Sequence, residues 1–468
     1  MSRIAIIGAG LSGRLLALNL LRFASSDADV SVRMLDRGDE RAMGPAYSCE
    51  ADYLLLNVPA GRMGAFSEDP EHFLKWNRDR GAHAGPWDFL PRRLYRDYIL
   101  ALVREALQER AGGTTFEYVR GEVTDIDTEG GCATIHVEDK GPIVADKTVL
   151  ALGNFPPRHP PIENRSALES ERYVRNPWDP GVLDCLSRRD TVFLIGTGQT
   201  TVDLVIALHR RAHEGRIIAL SRRGLLPLAH RGFDRYESFF EEIKESKTIL
   251  DTFRIVCKHL DLAESMGIDK RAVIDSLRPD TQTIWLGLAQ DEKRRFLRHV
   301  FRYWEIIRSR IPPESEAIID AMRASGQLDV LAGRIRDLTE SEAAMEVHYV
   351  PHGHTGHEVV TAALVINCIG PESDYGRIDH PLVRNLMRRG LIRPGPAHLG
   401  VDALLNGAII GQNGAASDVL YTLGSSMKGV LWEVLAVPEI RVQAERLARL
   451  LLDGGTLRPG ERRRTANT

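Results

Sequence analysis

The chain is poor in cysteine, in aromatic residues and in excess charge, and it has no long apolar run. Cysteine stands at only five of 468 positions: Cys49, Cys132, Cys185, Cys257 and Cys368. The number is odd, the spacing is scattered and no C-x-x-C occurs. That excludes a disulfide framework and a redox-active dithiol, and a reducing, cytoplasmic setting is expected. No apolar stretch approaches the ~18 residues of a membrane span. The first residues read straight into a strand, so no secretory leader is expected. Net charge is −3, from 61 basic and 64 acidic residues. Nothing global therefore attracts nucleic acid or an anionic membrane. The hydrophobic share of 43% is that of a soluble globular chain, and the length suits about two or three domains. No Ser-His-Asp, Cys-His or paired-carboxylate set stands out, so no side chain is assigned as catalytic acid, base or nucleophile.

What is present is a glycine pattern, and it occurs twice. Ile4 to Ile7 is a short β-branched run that reads as a buried strand. Gly8, Gly10 and Gly13 follow at G-x-G-x-x-G spacing, and an apolar helix continues to Phe23. Gly8 serves the tight turn, Gly10 lets backbone N–H groups reach a pyrophosphate, and Gly13 lets helix and strand pack closely. The pyrophosphate would rest on the helix N-terminus, at Leu11 and Ser12. The next strand, Val30 to Leu35, ends in Asp36 and Arg37. An acid at that point accepts ribose hydroxyls.

The second copy begins at Thr191 to Ile195, turns at Gly196-Thr197-Gly198-Gln199-Thr200-Thr201, and runs into a helix from Val202. Its second strand ends in Ser221-Arg222-Arg223. Gly10 precedes Asp36 by 26 residues and Gly198 precedes Arg222 by 24. Each copy closes with an apolar strand capped by glycine, at Gly153 and Gly370. This is an internal repeat of a dinucleotide-binding unit. The two copies differ where they would meet the adenosine ribose. Asp36 repels a 2′-phosphate, whereas Arg222 and Arg223 would recognise one through charge-assisted bonds. FAD is therefore assigned to the first copy and NADPH to the second. Thr201 stands where a third glycine is usual, so helix and strand of the second copy are expected slightly further apart.

The fold class is α/β, with two Rossmann-like three-layer units. The first is discontinuous, residues 1–160 and 371–468; the second is residues 185–370, with a helical insert at about 225–332. On the FAD side the candidates also include Asn57, Pro59 and Arg62 in the loop after Leu54–Leu56, with Val123, Gly153, Gly424 and Trp432. A helix from Pro438 to Leu452 would aim its N-terminus at the flavin. Within the insert, Gln290 to Arg310 reads as one amphipathic helix stopped by Pro312 and Pro313. It is first a packing helix, with Arg298, Arg302 and Tyr303 as substrate-side candidates. His230, Arg231, Asp234 and Arg235 stand at its entrance. His352, His354 and His357 read as an exposed hairpin tip rather than a metal site, and no metal is assigned. The tail after Gly455 is polar and expected to fray.

Several stretches resemble bacterial FAD/NAD(P)-binding oxidoreductases, a family whose members include a flavin-dependent urate hydroxylase. They are Ile6 to Gly13, LLNVPAGRMGAFSEDPEHFLKW from Leu55, Ile195 to Asp203, ALSRRGLLP from Ala219, Phe296 to Arg310, VINCIGPESDY from Val365 and WEVLAVPEIRVQA from Trp432. The resemblance implies an FAD-bearing, NAD(P)H-using enzyme, more distantly like flavin monooxygenases and N-hydroxylases. It departs from the wider class at Ser425, where Gly-Asp is usual after the last strand. The preferred expectation is a monooxygenase in which reduced flavin and O2 oxygenate a small substrate through a flavin hydroperoxide. A flavin reductase or dehydrogenase, or a non-catalytic redox or nucleotide sensor, are the alternatives. Oligomeric state is left open.

Overall fold

The computed structural model describes residues 2–25, 27 and 29–454. The tail after Gly455 lies outside the described residues. The first sheet has six strands in the order Ala408–Ile410, Ala416–Thr422, Lys147–Leu150, Ser2–Ile7, Val30–Asp36, Thr114–Arg120. All neighbours are parallel except the first pair. Strand Ser2–Ile7 lies inside the sheet and alternates its side chains between two cores. Ile4 and Ile6 face helices Leu11–Phe23, Arg92–Glu109 and Val437–Leu452. Ala5 and Ile7 face a three-stranded antiparallel layer, Val123–Glu129, Cys132–Val137 and Ile143–Ala145, and helix Pro381–Arg388. A parallel sheet covered on both faces explains why its strands read as continuous apolar runs rather than as alternations.

The second sheet has seven strands. A parallel core of Leu328–Glu340, Ile217–Ser221, Val192–Ile195, Leu364–Asn367 and Tyr173–Val174 carries an antiparallel meander through Met345–Pro351 and Glu358–Ala362. Helices Gln199–Arg210 and Pro313–Ala324 cover one face. Pro313–Ala324 falls inside the range expected for the insert, yet it packs on the unit's own sheet.

The remaining helices from Phe240 to Arg308 form a separate bundle. The expected continuous helix Gln290 to Arg310 is broken. It is an α-turn run Gln290–Arg295, a π-turn Phe296–Val300 and an α-helix Phe301–Arg308. A π-turn rotates the residues after it and usually marks a site where packing or function overrides helical regularity.

The two glycine turns show why the spacing exists. A Cβ on Gly13 would stand 2.0 Å from the Gly8 carbonyl oxygen and 3.2 Å from Ile6 Cγ2. Backbone, not a yielding side chain, blocks it. Gly13→Ala is therefore expected to cost roughly 3 kcal/mol or more, read as a lower urea midpoint with an unchanged slope.

Candidate functional site

At the first turn Gly8 has φ +108° and would put a Cβ 2.3 Å from the Ala151 oxygen. Gly10 is different: a Cβ there would meet only the Met43 oxygen, at 3.9 Å. The space in front of Gly10 is open, and no side chain caps helix Leu11–Phe23. The N–H groups at Leu11 and Ser12 thus face a concave, uncapped helix end, which favours an anion. Asp36 stands beside it. Its Oδ2 accepts from Ala9 N (2.7 Å) and its Oδ1 from Gly38 N (2.8 Å). Each oxygen keeps a lone pair for a further donor. Arg37 is exposed. Arg14, which sequence reasoning passed over, is buried and donates to the carbonyls of Glu40 (2.5 Å) and Ala42 (3.1 Å). It holds the loop after Asp36 against the helix. A lone arginine on an apolar helix face was the signal.

The last strand returns to this turn. Gly424 has φ +76°, and a Cβ on it would lie 2.5 Å from Ser12 Oγ. Ser425, standing where an acid is usual, donates to the Gly153 oxygen at 2.7 Å and so ties together two glycine-ended strands. Val123 is buried in the core below, so any contact it makes with a ligand would be through its backbone. Helix Val437–Leu452 packs against helix Leu11–Phe23. Its Arg441 donates to the Gly64 oxygen (2.9 Å) and to the Arg62 oxygen (3.3 Å). The loop with Asn57, Pro59 and Arg62 therefore meets the start of that helix. Buried polar atoms without a partner cluster here: Glu439 Oε2, Arg441 Nε and Gln443 Nε2. Such groups are costly unless a ligand or water meets them, so the polar atoms at the start of this helix fit a neighbouring hydrogen-bonding group.

Trp432 is placed otherwise than its assignment to the flavin side suggests. It is buried at φ +62°, a strained backbone for a bulky residue. Its ring stacks on Trp285 of the insert, with centroids 4.6 Å apart, and meets Phe296 and Phe301 edge-on. The insert's packing, invisible from local sequence, claims the side chain.

The second turn repeats the first with one change. Gly196 has φ +130°, and a Cβ on it would meet the Cys368 oxygen at 2.4 Å. Gly198 faces open space, and helix Gln199–Arg210 has no side-chain cap. Thr201 donates its hydroxyl to the Gly196 oxygen at 2.8 Å. Helix and strand thus bridge through a hydroxyl where the first copy closes on a glycine. Gln199 donates to the Arg310 oxygen (3.2 Å), while Thr200 beside it is half-buried. Ser221 Oγ accepts from Gly224 N (3.0 Å) and pairs with Thr197 Oγ1 (2.8 Å). Arg222 and Arg223 are exposed, with no ion pair among the described residues. Arg223 lies over the Tyr303 ring, 5.6 Å from its centroid. Gly370 has φ +101° at the end of the closing strand.

Of the substrate-side candidates, Arg302 is already engaged. It donates to the Thr197 oxygen and hydroxyl (both 2.9 Å) and the Leu225 oxygen (2.5 Å), and pairs with Glu305. Through Nη2 it braces the second glycine turn, so this side of the guanidinium is committed to the fold rather than to a small substrate. Arg298 and Tyr303 remain exposed. Other insert arginines are paired too, Arg308 with Glu433 and Arg310 with Asp275. Arg231 reaches Glu316, while Asp234 and Arg235 are exposed. The three histidines 352, 354 and 357 sit exposed between two antiparallel strands.

His230 joins the insert to the first unit. Its Nε2 lies 3.0 Å from the Asn57 carbonyl oxygen, which can only accept, so Nε2 carries the hydrogen. Burial pushes the imidazole down from 6.5 to about 4. The folded protein therefore resists the proton that the unfolded chain takes up. Stability is present above about pH 6.5 and falls as pH drops toward about 4. The expected loss between pH 6.5 and 4.5 is about 1–2 kcal/mol after allowance for partial solvent screening. His230→Gln should flatten that slope in urea titrations run across the interval.

A second, stronger junction is Arg92 with Asp203. Two parallel bonds of 2.9 Å join them, with both side chains at or below 10% exposure. Arg92 Nε also donates to the Leu55 oxygen (2.8 Å). One guanidinium thus connects the 54–63 loop, helix Arg92–Glu109 and the second unit's helix Gln199–Arg210.

Residues 5–155 match a family described as FAD-NAD(P)-binding. No curated protein matches the chain in sequence. Among solved structures, an ornithine N-hydroxylase from a Kutzneria species, with reduced FAD, NADP+ and L-ornithine, superposes with a TM-score of 0.63 at 14% identity, covering 97% of this chain and 99% of that one. The L-lysine 6-monooxygenase of Pseudomonas syringae gives 0.63 at 15% identity, over 98% and 100%. The FAD-bound cadaverine monooxygenase of Erwinia amylovora gives 0.63 at 14% identity, over 99% and 97%. No helix among the described residues is long and apolar enough to cross a membrane. Residues 5–155 thus match an FAD-NAD(P)-binding family, and nearly the whole chain shares the fold of these ornithine, lysine and cadaverine hydroxylating enzymes.

Proposed function

We propose that the protein is an FAD-dependent, NADPH-using monooxygenase acting on a small molecule. The observation that carries this reading is the pair of open glycine turns in one chain, followed by an acid in the first copy and by two exposed arginines in the second. Residues 1–160 with 371–468 would hold FAD, and residues 185–370 would hold NADPH. FAD, once reduced by hydride from NADPH, supplies the activation of O2. The chain's own residues bind and orient. Leu11, Ser12 and Gly13 present backbone N–H groups to the pyrophosphate, and Asp36 takes the ribose hydroxyls. Gly198 to Thr200 present the second anion site, and Arg222 and Arg223 take the 2′-phosphate. The 57–62 loop, the 424–427 turn and the start of helix Val437–Leu452 exclude water from the flavin ring. The setting is cytoplasmic and the co-substrate is O2.

The solved relatives act on ornithine, lysine or cadaverine, so amines head the candidate substrates, with purines beside them. The test is anaerobic mixing of the yellow protein with NADPH and with NADH, followed by oxygen and a panel of amines and purines. Bleaching by NADPH and a hydroxylated product are expected. Oxygen use with no oxygenated product across the panel points to the reductase reading. A flavin that NADPH fails to bleach points to a sensor.

A further inference from the structure

The helical insert and Trp432 line a half-open apolar cavity of about 110 Å³. Its floor is aromatic and buried: Trp285 at 2% exposure, Trp432 at 6% and Phe296 at 7%. Its mouth is flanked by Phe253 and Tyr303, at 38% and 41%. The polar groups of its wall are turned to other work. Thr252 and Thr281 donate to the carbonyls of Thr248 and Leu277, and Trp285 Nε1 donates to the Gly429 oxygen at 2.8 Å. A water on the floor would find few polar partners. An engineered apolar cavity of ~150 Å³ admits benzene, so the space is of the order of one ring or a short alkyl group.

Two departures from regular backbone meet at this floor. The π-turn Phe296–Val300 brings Phe296 and Val300 onto the wall, and the strained Trp432 closes it. Both cost stability, which a purely structural bundle would have no reason to bear. The surroundings point the mouth toward the chemistry. Tyr303 underlies Arg223 of the second dinucleotide turn. Behind the floor, Lys428 Nζ lies 5.7 Å from both the Trp432 and Phe301 centroids, four residues beyond Gly424.

We infer that this cavity binds the uncharged, ring- or short-alkyl-sized end of a small molecule. The inference rests on the oxygenase reading for one step only: the ligand is then the substrate, an amphipathic compound with an apolar end, rather than a fully polar diamino acid. Its polar end would lie at the mouth, beside Tyr303 and Arg223. The cavity is closed at its floor and ring-sized, which suits a small molecule better than a protein segment.

The test uses the holoprotein and iodobenzene, a neutral ring whose heavy atom quenches tryptophan fluorescence. Saturable quenching is expected, since Trp285 and Trp432 form the floor. Val256→Phe, which fills the wall, should weaken it at least tenfold, with circular dichroism and flavin absorbance confirming the fold. If that variant fails to fold, Ile307→Ala should enlarge the space and admit iodonaphthalene. An aryl-ended amine should displace iodobenzene, and ornithine should not. Linear, unsaturable quenching that is the same in wild type and variants overturns the assignment. So does a concentration-dependent dimer that excludes the probe, because the cavity would then be filled by a second copy. A colourless protein with saturable quenching would remove the oxygenase reading and leave the cavity as a ligand site. A yellow, NADPH-reducible protein with linear quenching would do the reverse.

Discussion

Charge reversal at Arg222 and Arg223 is expected to lower kcat/KM for NADPH by about 10²–10³-fold while NADH changes little. Each arginine offers a charge-assisted bond worth about 1.5–3 kcal/mol, and each 1.4 kcal/mol is about tenfold. Both are exposed at the end of strand Ile217–Ser221 and free of carboxylate partners among the described residues. Neither supports the core, so the variant should fold and retain its FAD. That separates the effect from a general loss of structure. An NADPH/NADH ratio equal to that of the wild type would count against the second site as assigned.

The second large effect is expected at the Arg92–Asp203 pair. Asp203→Ala leaves a guanidinium buried and uncompensated, which costs about 3–5 kcal/mol. Replacing both with apolar residues of similar volume, Arg92→Met with Asp203→Leu, should recover most of that stability, because buried ion pairs seldom outperform good packing. The functional readout should not recover with it. Without the guanidinium the link from the Leu55 carbonyl to the second unit is lost and the loop keeps only the His230–Asn57 contact, so the rate of flavin reduction by NADPH should stay low in the double variant. Equal reduction rates in wild type and double variant would show that the pair serves stability alone.

These two predictions differ in how visible their residues are in the sequence. The glycine turns, Asp36 and Arg222 are legible because their constraint is local. A strand, a turn and a helix within about 30 residues fix the geometry. Most strands of the two sheets are legible for the same reason, as apolar runs bounded by turn residues; the two-residue strand Tyr173–Val174 and the edge strand Glu358–Ala362 are not, being too short or too polar to stand out. Arg92 with Asp203 and His230 with Asn57 are not, since their partners lie 111 and 173 residues away. Arg302 misleads because an arginine on an amphipathic helix looks free until the Thr197 turn appears beneath it. Trp432 misleads because its neighbours Trp285 and Phe296 come from a bundle that precedes it by more than a hundred residues. The break at Phe296–Val300 escapes periodicity altogether, as a single extra residue in a turn shifts the apolar stripe without erasing it.

The strand order of the first sheet has a consequence for how the protein is made. Lys147–Leu150 takes its outer neighbour, Ala416–Thr422, from 266 residues further along the chain (416 − 150). At ~5–20 residues per second on the ribosome, that strand emerges roughly 13–50 s later. Throughout that interval the nascent chain carries an open β-edge, a template for wrong pairing. The seven strands of the second sheet emerge in one stretch, from Tyr173 to Asn367. The half translated first can therefore be completed only last, and the period in which a chaperone matters most falls between the two.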